Sequence, residues 1–318
     1  MRAMIRGGLL LAFLGSVAGC DESSCREPGC PDTAACAPGD AREPAEDSTA
    51  QDTRAPGDAG AVPGTCLLGR AGCVAGQADV YGICLGGFEV PVAGASFTMG
   101  LEGVPWAAPE HEVTVSGFAM DRTEVTNRMW AACVACGVCT PPLRNASYTG
   151  REPGYYGNPE YDDFPVVHVT WPMAEAFCEG LGKSLPTEAQ WERAAQGPHG
   201  APWPWGDEDP TWELANTAMA YPDTTAAGAF PEGASPDGVL DLCGNVREWT
   251  RDTFHADYYS WSPSQDPVAP EEGGYVKTVR GGSFGSWEED ARVPVRQRLG
   301  REGHYAHVGF RCVREGVR

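Results

Sequence analysis

Glycine and proline punctuate this chain so densely that no long regular element can form in it: 41 glycines and 27 prolines stand among 318 residues. Proline removes a backbone donor and fixes φ, and glycine raises the entropic cost of order, so both tend to end helices and strands. What remains between them is a set of short apolar runs and bulky anchors, including 10 tryptophans. That pattern points to an irregular, loop-rich fold and away from a helical bundle or a regular α/β sheet.

Alternating apolar positions predict short strands at 89–92, 95–100 and 111–118. Further short strands are expected at 165–169, 239–240, 277–280 and 308–313. Three helices are predicted. One follows Thr126 as N-cap, with Met129, Trp130, Cys133 and Val134 at helical spacing. A second follows Thr170, carries Pro172 in its first turn, turns Met173, Ala176, Phe177 and Leu181 inward and stops at Gly182. A third opens on a capping box of Thr187 and Gln190 and buries Trp191, Ala194 and Ala195. Residues 144–164 read as a long surface loop. His168, between valines, reads as a structural histidine, and His304 and His307 as loop histidines without an HExxH pattern around them. The Gly-Gly turn at Arg280-Gly281-Gly282-Ser283-Phe284 lacks the lysine and the glycine spacing of a phosphate loop.

The net charge is -21 and the pI about 4.6, which argues against nucleic acid and anionic membrane surfaces as partners. Thirteen cysteines call for an oxidising compartment. The N-terminus supplies one. Arg2 and Arg6 precede a short apolar run that ends Val17-Ala18-Gly19-Cys20, the pattern of a bacterial lipoprotein signal at residues 1–20 with Cys20 as the lipidated residue. Residues 21–64 hold no aromatic residue and read as a disordered acidic linker. Residues 65–87 form a small Cys-rich segment, and the folded body is expected over 88–318. Cys133, Cys136 and Cys139 crowd a glycine turn, and a disulfide, Cys133 with Cys139, is expected over a thiolate metal site.

The stretch Asp241-Leu242-Cys243-Gly244-Asn245-Val246-Arg247-Glu248-Trp249 sets a Gly-Asn turn between two carboxylates. From these residues alone it is either a plain buried turn or a hard-cation site. With Phe97-Thr98-Met99-Gly100, the run from Asp121 to Asn127, the segment from Pro165 to Trp171 and Ser184-Leu185-Pro186-Thr187-Glu188-Ala189-Gln190-Trp191-Glu192, it makes an ordered set. Trp205-Gly206-Asp207, the Gly-Gly-Ser turn and Gly309-Phe310-Arg311-Cys312 complete that set, which resembles the formylglycine-generating enzyme, or sulfatase-modifying factor, family.

The resemblance implies an α+β fold of the C-type-lectin-like kind with little regular secondary structure. It implies structural calcium at Asp241, Gly244, Val246 and Glu248, and a second calcium at Asn216, Thr217 and Asp223. It implies a Cys178–Cys312 disulfide and makes Ser283 the family serine. Enzymes of the family convert a sulfatase cysteine to formylglycine with oxygen and copper(I) held by two cysteines. The corresponding positions here are Ser286 and Ala291, and no cysteine lies between Phe284 and Leu299. His307 stands where the family has a substrate-contacting Asn, and Arg247 where Trp is usual. The sulfoxide synthases pair this domain with a histidine-rich iron domain; this chain has only 6 histidines and no such domain.

Copper is therefore not expected. The expected role is an exported, lipid-anchored binding or accessory module of the bacterial cell envelope, on its periplasmic or outer-membrane face. Its partner would be a protein, peptide or glycan, with the membrane engaged through the lipid. The alternative is a formylglycine-generating oxidase, for instance with copper at Cys243.

Overall fold

The computed structural model describes residues 88–151, 154–197 and 200–316. The expected signal segment with Cys20, the linker and the Cys-rich segment lie outside the described residues. No helix among the described residues is long and apolar enough to cross a membrane.

The fold is α+β with little regular structure. Strands β1 (Glu89–Val92), β4 (Phe118–Asp121) and β9 (Val313–Glu315) form one antiparallel sheet in the order β1-β4-β9. Strands β2 (Ala95–Met99) and β3 (His111–Val115) pair by themselves. A four-stranded sheet runs β7 (Gln297–Gly300), β6 (Val276–Arg280), β5 (Arg247–Thr253) and β8 (Val308–Gly309), with β8 parallel to β5. Helices α1 (Asn127–Ala135), α2 (Trp171–Gly180) and α3 (Glu188–Gln196) begin at Thr126, Thr170 and Thr187, and each of these threonine hydroxyls caps a backbone N–H. At α3 the reciprocal bond from Gln190 completes the capping box.

Several expected elements differ. Residues 165–169 do not form a strand, because His168 adopts φ 58° and breaks the extended path, although Val166, Val167 and Val169 are buried. Residues 239–240 are buried without strand pairing; Leu240 donates to the carbonyl of Arg122 instead. The run 308–313 is two strands, β8 and the start of β9, separated by Phe310 to Cys312 where the backbone passes between sheets. On α2 the buried face takes Trp171, Ala174, Phe177 and Cys178, and Ala176 is exposed. Strands β4, β5 and β7 were not expected. β4 is buried at all four positions and so shows no alternation, while β5 and β7 are largely polar in sequence.

Tryptophan does much of the work that long elements do elsewhere. Trp130, Trp171, Trp191 and Trp249 are among the largest fully buried residues. Their indole N–H groups all find acceptors: Thr140 O, Thr250 O, the Glu248 carboxylate and Val169 O. A buried indole with its donor satisfied contributes a large apolar area and fixes the loop that supplies the acceptor. Two disulfides add closure, Cys133–Cys139 and Cys178–Cys312. Cys136 is also disulfide-bonded.

Candidate functional site

The Gly-Gly-Ser turn that follows β6 places Ser283 and Ser286 beside the first residue of β5. Gly282 has φ 68°, and a Cβ on it would stand 2.7 Å from the Cβ of Ala291, so glycine is required for Ala291 to pack there. Ser283 and Ser286 are buried and Ala291 is fully so. Arg247 is anchored by β8, its N–H donating to His307 O at 2.9 Å. Its guanidinium donates from Nη1 to Ser283 Oγ and from Nη2 to Ser286 Oγ, both at 2.9 Å, and from Nε to Gln297 Oε1 at the start of β7. The Ser283 N–H donates to Ser286 Oγ at 3.0 Å.

No carboxylate lies within ion-pair reach of Arg247 among the described residues. Burial lowers its pKa, partly offset by the more distant Asp290. His307 is half-buried, and burial, the Arg247 charge and His168 push its pKa down to about 4, so it is neutral at physiological pH. The Nδ1 atoms of His168 and His304 are 3.5 Å apart.

This arrangement does not fit copper(I). The two family thiolate positions carry a hydroxyl and a methyl group, and a cation already sits against the hydroxyl of Ser286. Soft copper(I) takes thiolate or thioether donors, not hydroxyls. Cys243 does not replace them. It is the free cysteine of the described residues and lies buried among Trp203, Ala215 and Ala291, where burial pushes its thiol pKa well above the usual range. Among the described residues, no group of three His, Cys, Asp or Glu residues is arranged to hold a metal.

The two expected calcium loops meet each other. Asn216 bridges Gly244, and the Asn245 N–H donates to Asn216 O at 2.9 Å. Gly244 has φ 85°, and a Cβ there would come within 2.3 Å of Asn216 O, so this closeness depends on glycine. Thr217 follows Asn216 and is buried, and its carbonyl accepts from the Ala220 N–H; Val246 is buried among Tyr155 and Val167. The carboxylates, however, are largely taken by protein donors. Glu248 is clamped by Arg311, Nη2 to Oε1 and Nε to Oε2 both at 2.7 Å, and Trp191 donates to Oε2 at 3.0 Å. Asp223 accepts from the N–H and hydroxyl of Thr149 and the N–H of Thr224. Each oxygen of both carboxylates thus already accepts at least one hydrogen bond from the protein. Asp241 differs. It accepts from the Gly228 N–H at 2.6 Å and contacts the buried Glu124, and burial raises the pKa of both acids. With Glu248, these are three carboxylates around one guanidinium, Arg311, and a proton or a cation held between Glu124 and Asp241 satisfies both.

The sequence reading missed Glu124, Gln297 and the role of Arg311. Arg311 stood inside a recognised motif, but its partner Glu248 is 63 positions away and no local pattern links them.

A disulfide-closed α+β domain built around buried tryptophans, with a Gly-Gly-Ser turn facing β5, is the architecture of a sulfatase-modifying-factor domain. Residues 87–316 match the Sulfatase-modifying factor enzyme 1-like domain, and the chain belongs to that family. It is 30% identical to the formylglycine-generating enzyme of Mycobacterium tuberculosis over 294 residues, covering 72% of this chain and 98% of that protein. It is 32% identical to the serine/threonine-protein kinase pkn1 of Chlamydia pneumoniae over 237 residues, covering 71% of this chain. That stretch is 37% of the chlamydial protein, so this chain spans little more than a third of it. The solved structure of PvdO from Pseudomonas aeruginosa superposes with a TM-score of 0.59 at 28% identity, over 71% of this chain and 94% of that one.

Proposed function

We propose that this protein is a non-oxidase member of its family, a binding or accessory module that is exported and lipid-anchored. One observation carries the reading. Where the resemblance calls for two copper thiolates there are Ser286 and Ala291, and the Arg247 guanidinium lies against Ser283 and Ser286. A family fold hosts many chemistries, so membership alone does not supply the oxidase activity. The test is titration of the reduced, purified protein with copper(I), followed by incubation with a cysteine-containing sulfatase peptide under oxygen. No stoichiometric copper(I) binding and no formylglycine are expected. Tight binding with oxygen-dependent turnover would establish the alternative, an oxidase.

Export and anchoring rest on Cys20 and the residues before it. The Cys20→Ala protein is expected to leave the membrane fraction or to keep its signal segment. For calcium, the proposal narrows to Asp241 with Glu124, the acids whose charge is not matched by protein donors. A rise in melting temperature with calcium over chelator would support it, since a ligand of the native state alone adds stability. Coincident melts would leave that pair holding a proton.

A further inference from the structure

The half-buried Arg247 is a cation without a counter-ion, and its surroundings form a built site. Three of its five N–H bonds are spent on Gln297, Ser283 and Ser286. The other two, one on each terminal nitrogen, meet no acceptor among the described residues. The acid that acts on it, exposed Asp290, stays outside ion-pair distance. The accepting hydroxyls of Ser283 and Ser286 are themselves donors, and their Oγ atoms are 3.4 Å apart, so at most one of the two hydrogens serves the other serine. Neutral His307 adds no second positive charge.

The rim is apolar and exposed. Trp287 is 73% exposed, Tyr148 59% and Met219 45%. All three border this turn. Tyr148 packs on Phe284 with ring centroids 5.4 Å apart, the Met219 N–H donates to Phe284 O at 2.7 Å, and Trp287 follows Ser286 directly. Large aromatic and methionine groups left in solvent around an unpaired arginine are the composition of a recognition surface.

We propose that Arg247, with Ser283 and Ser286, is the recognition point for a single carboxylate on a peptide segment whose neighbouring apolar groups lie on Trp287, Tyr148 and Met219. The inference rests on the non-oxidase binding reading and gives it a ligand class. One guanidinium with two unspent N–H bonds matches a monoanion, and charge-assisted bonds to a carboxylate are short and strong. A phosphate dianion would leave charge unmatched. The net charge of -21 repels acidic partners at a distance, so selection for the acid occurs at contact and not in steering. Two sources supply the same chemistry, the acid group of an Asp or Glu residue and the terminal carboxylate of a peptide.

The test uses the full-length protein against an array of short peptides with randomised apolar flanks. The central residue is Glu or Asp against Gln or Asn, and each peptide is made with a free and an amidated C-terminus. Preference for the acidic centre by about tenfold or more identifies an Asp or Glu carboxylate; the same preference for the free terminus identifies a terminal one. Arg247→Gln, which removes the charge and keeps a polar side chain, is expected to abolish that preference. The acid-against-amide comparison within the wild type stands even if the variant does not fold. Peptides bound equally as acid and amide would overturn this inference and leave the binding reading in place. Binding of no peptide would overturn it as well. Oxygen-dependent conversion of a cysteine peptide would instead overturn the reading beneath it.

Discussion

At the residue scale this domain buries networks of ion pairs beside its apolar cores. Glu188 receives both Arg296 and Arg280, Arg280 also reaches Glu192 at 2.5 Å, and all four residues are essentially buried. Glu248 and Arg311 form a second such pair. Breaking a pair of this kind by removing one partner costs about 3–5 kcal/mol, because the other charge stays buried and unmatched. Asp252 sits at the edge of the first network, its carboxylate accepting the N–H groups of Glu188 and Ala269. Burial, and then the Glu188 charge, raise its pKa to about 7. In the unfolded protein it titrates near ~3.9. Below that pH both states hold the proton. Between roughly pH 4 and 7 the unfolded state releases a proton that the folded one keeps, so the contribution of Asp252 to stability falls as pH rises across that window, by at most about 1.4 kcal/mol per unit. Glu188 acts in a different window: burial raises its pKa, but Arg296 and Arg280 outweigh it, so its effect falls at more acid pH. Denaturant unfolding at a series of pH values is expected to show the wild type losing stability relative to Asp252→Asn as pH rises from roughly 4 to 7. In that comparison the opposite contribution of His307, whose pKa of about 4 adds stability as pH rises, cancels. A wild type that gains on the variant across that window would contradict it. None of this was legible in the sequence. The carboxylates at Glu188 and Glu248 were visible there, but the guanidiniums that hold them lie far along in the sequence, at Arg280, Arg296 and Arg311.

At the scale of elements, legibility followed how local the deciding interaction is. The three helices were readable because threonine caps and the Gln190 partner act within one turn. β2 and β3 were readable because one face is buried and the other is not, which leaves alternation in the sequence. β5 was not, since Glu248, Thr250 and Asp252 satisfy their polar groups in tertiary contacts and the strand is largely buried with no apolar pattern to show it. The candidate site divides the same way. Ser283, Ser286, Ala291 and Arg247 could be named one by one as departures from the family pattern, but that the arginine reaches both serines is a product of β5 lying beside β6. The capping box at α3 gives a direct test of the local part. Thr187→Ala removes the bond to the Gln190 N–H and is expected to cost about 1 kcal/mol in denaturant unfolding. Because α3 is buried on every face and carries Glu188 and Glu192, a loss well below this would mean that tertiary contacts alone hold its first turn.

At the scale of the whole molecule, a domain with so few regular elements needs its loops tied to one another, and the Cys178–Cys312 bond is placed to do that. It joins α2 to the segment between β8 and β9, residues 134 positions apart. Both sulfurs lie in an aromatic core with Trp130, Phe177 and Phe310, so reduction would free the segment at residues 310–312 from the helix it packs on. A cross-link that closes a loop of this length removes unfolded-state entropy worth roughly 3–5 kcal/mol. That is a large share of the stability of an ordinary domain, about 5–15 kcal/mol. Cys133–Cys139 closes only 6 positions, and the same argument gives it a smaller effect. The Cys178→Ala/Cys312→Ala protein is therefore expected to unfold at clearly lower denaturant than the Cys133→Ala/Cys139→Ala protein. Non-reducing peptide maps should show the 178–312 linkage in the wild type. Equal losses for the two double variants would mean that native packing, not loop closure, sets what each bond contributes.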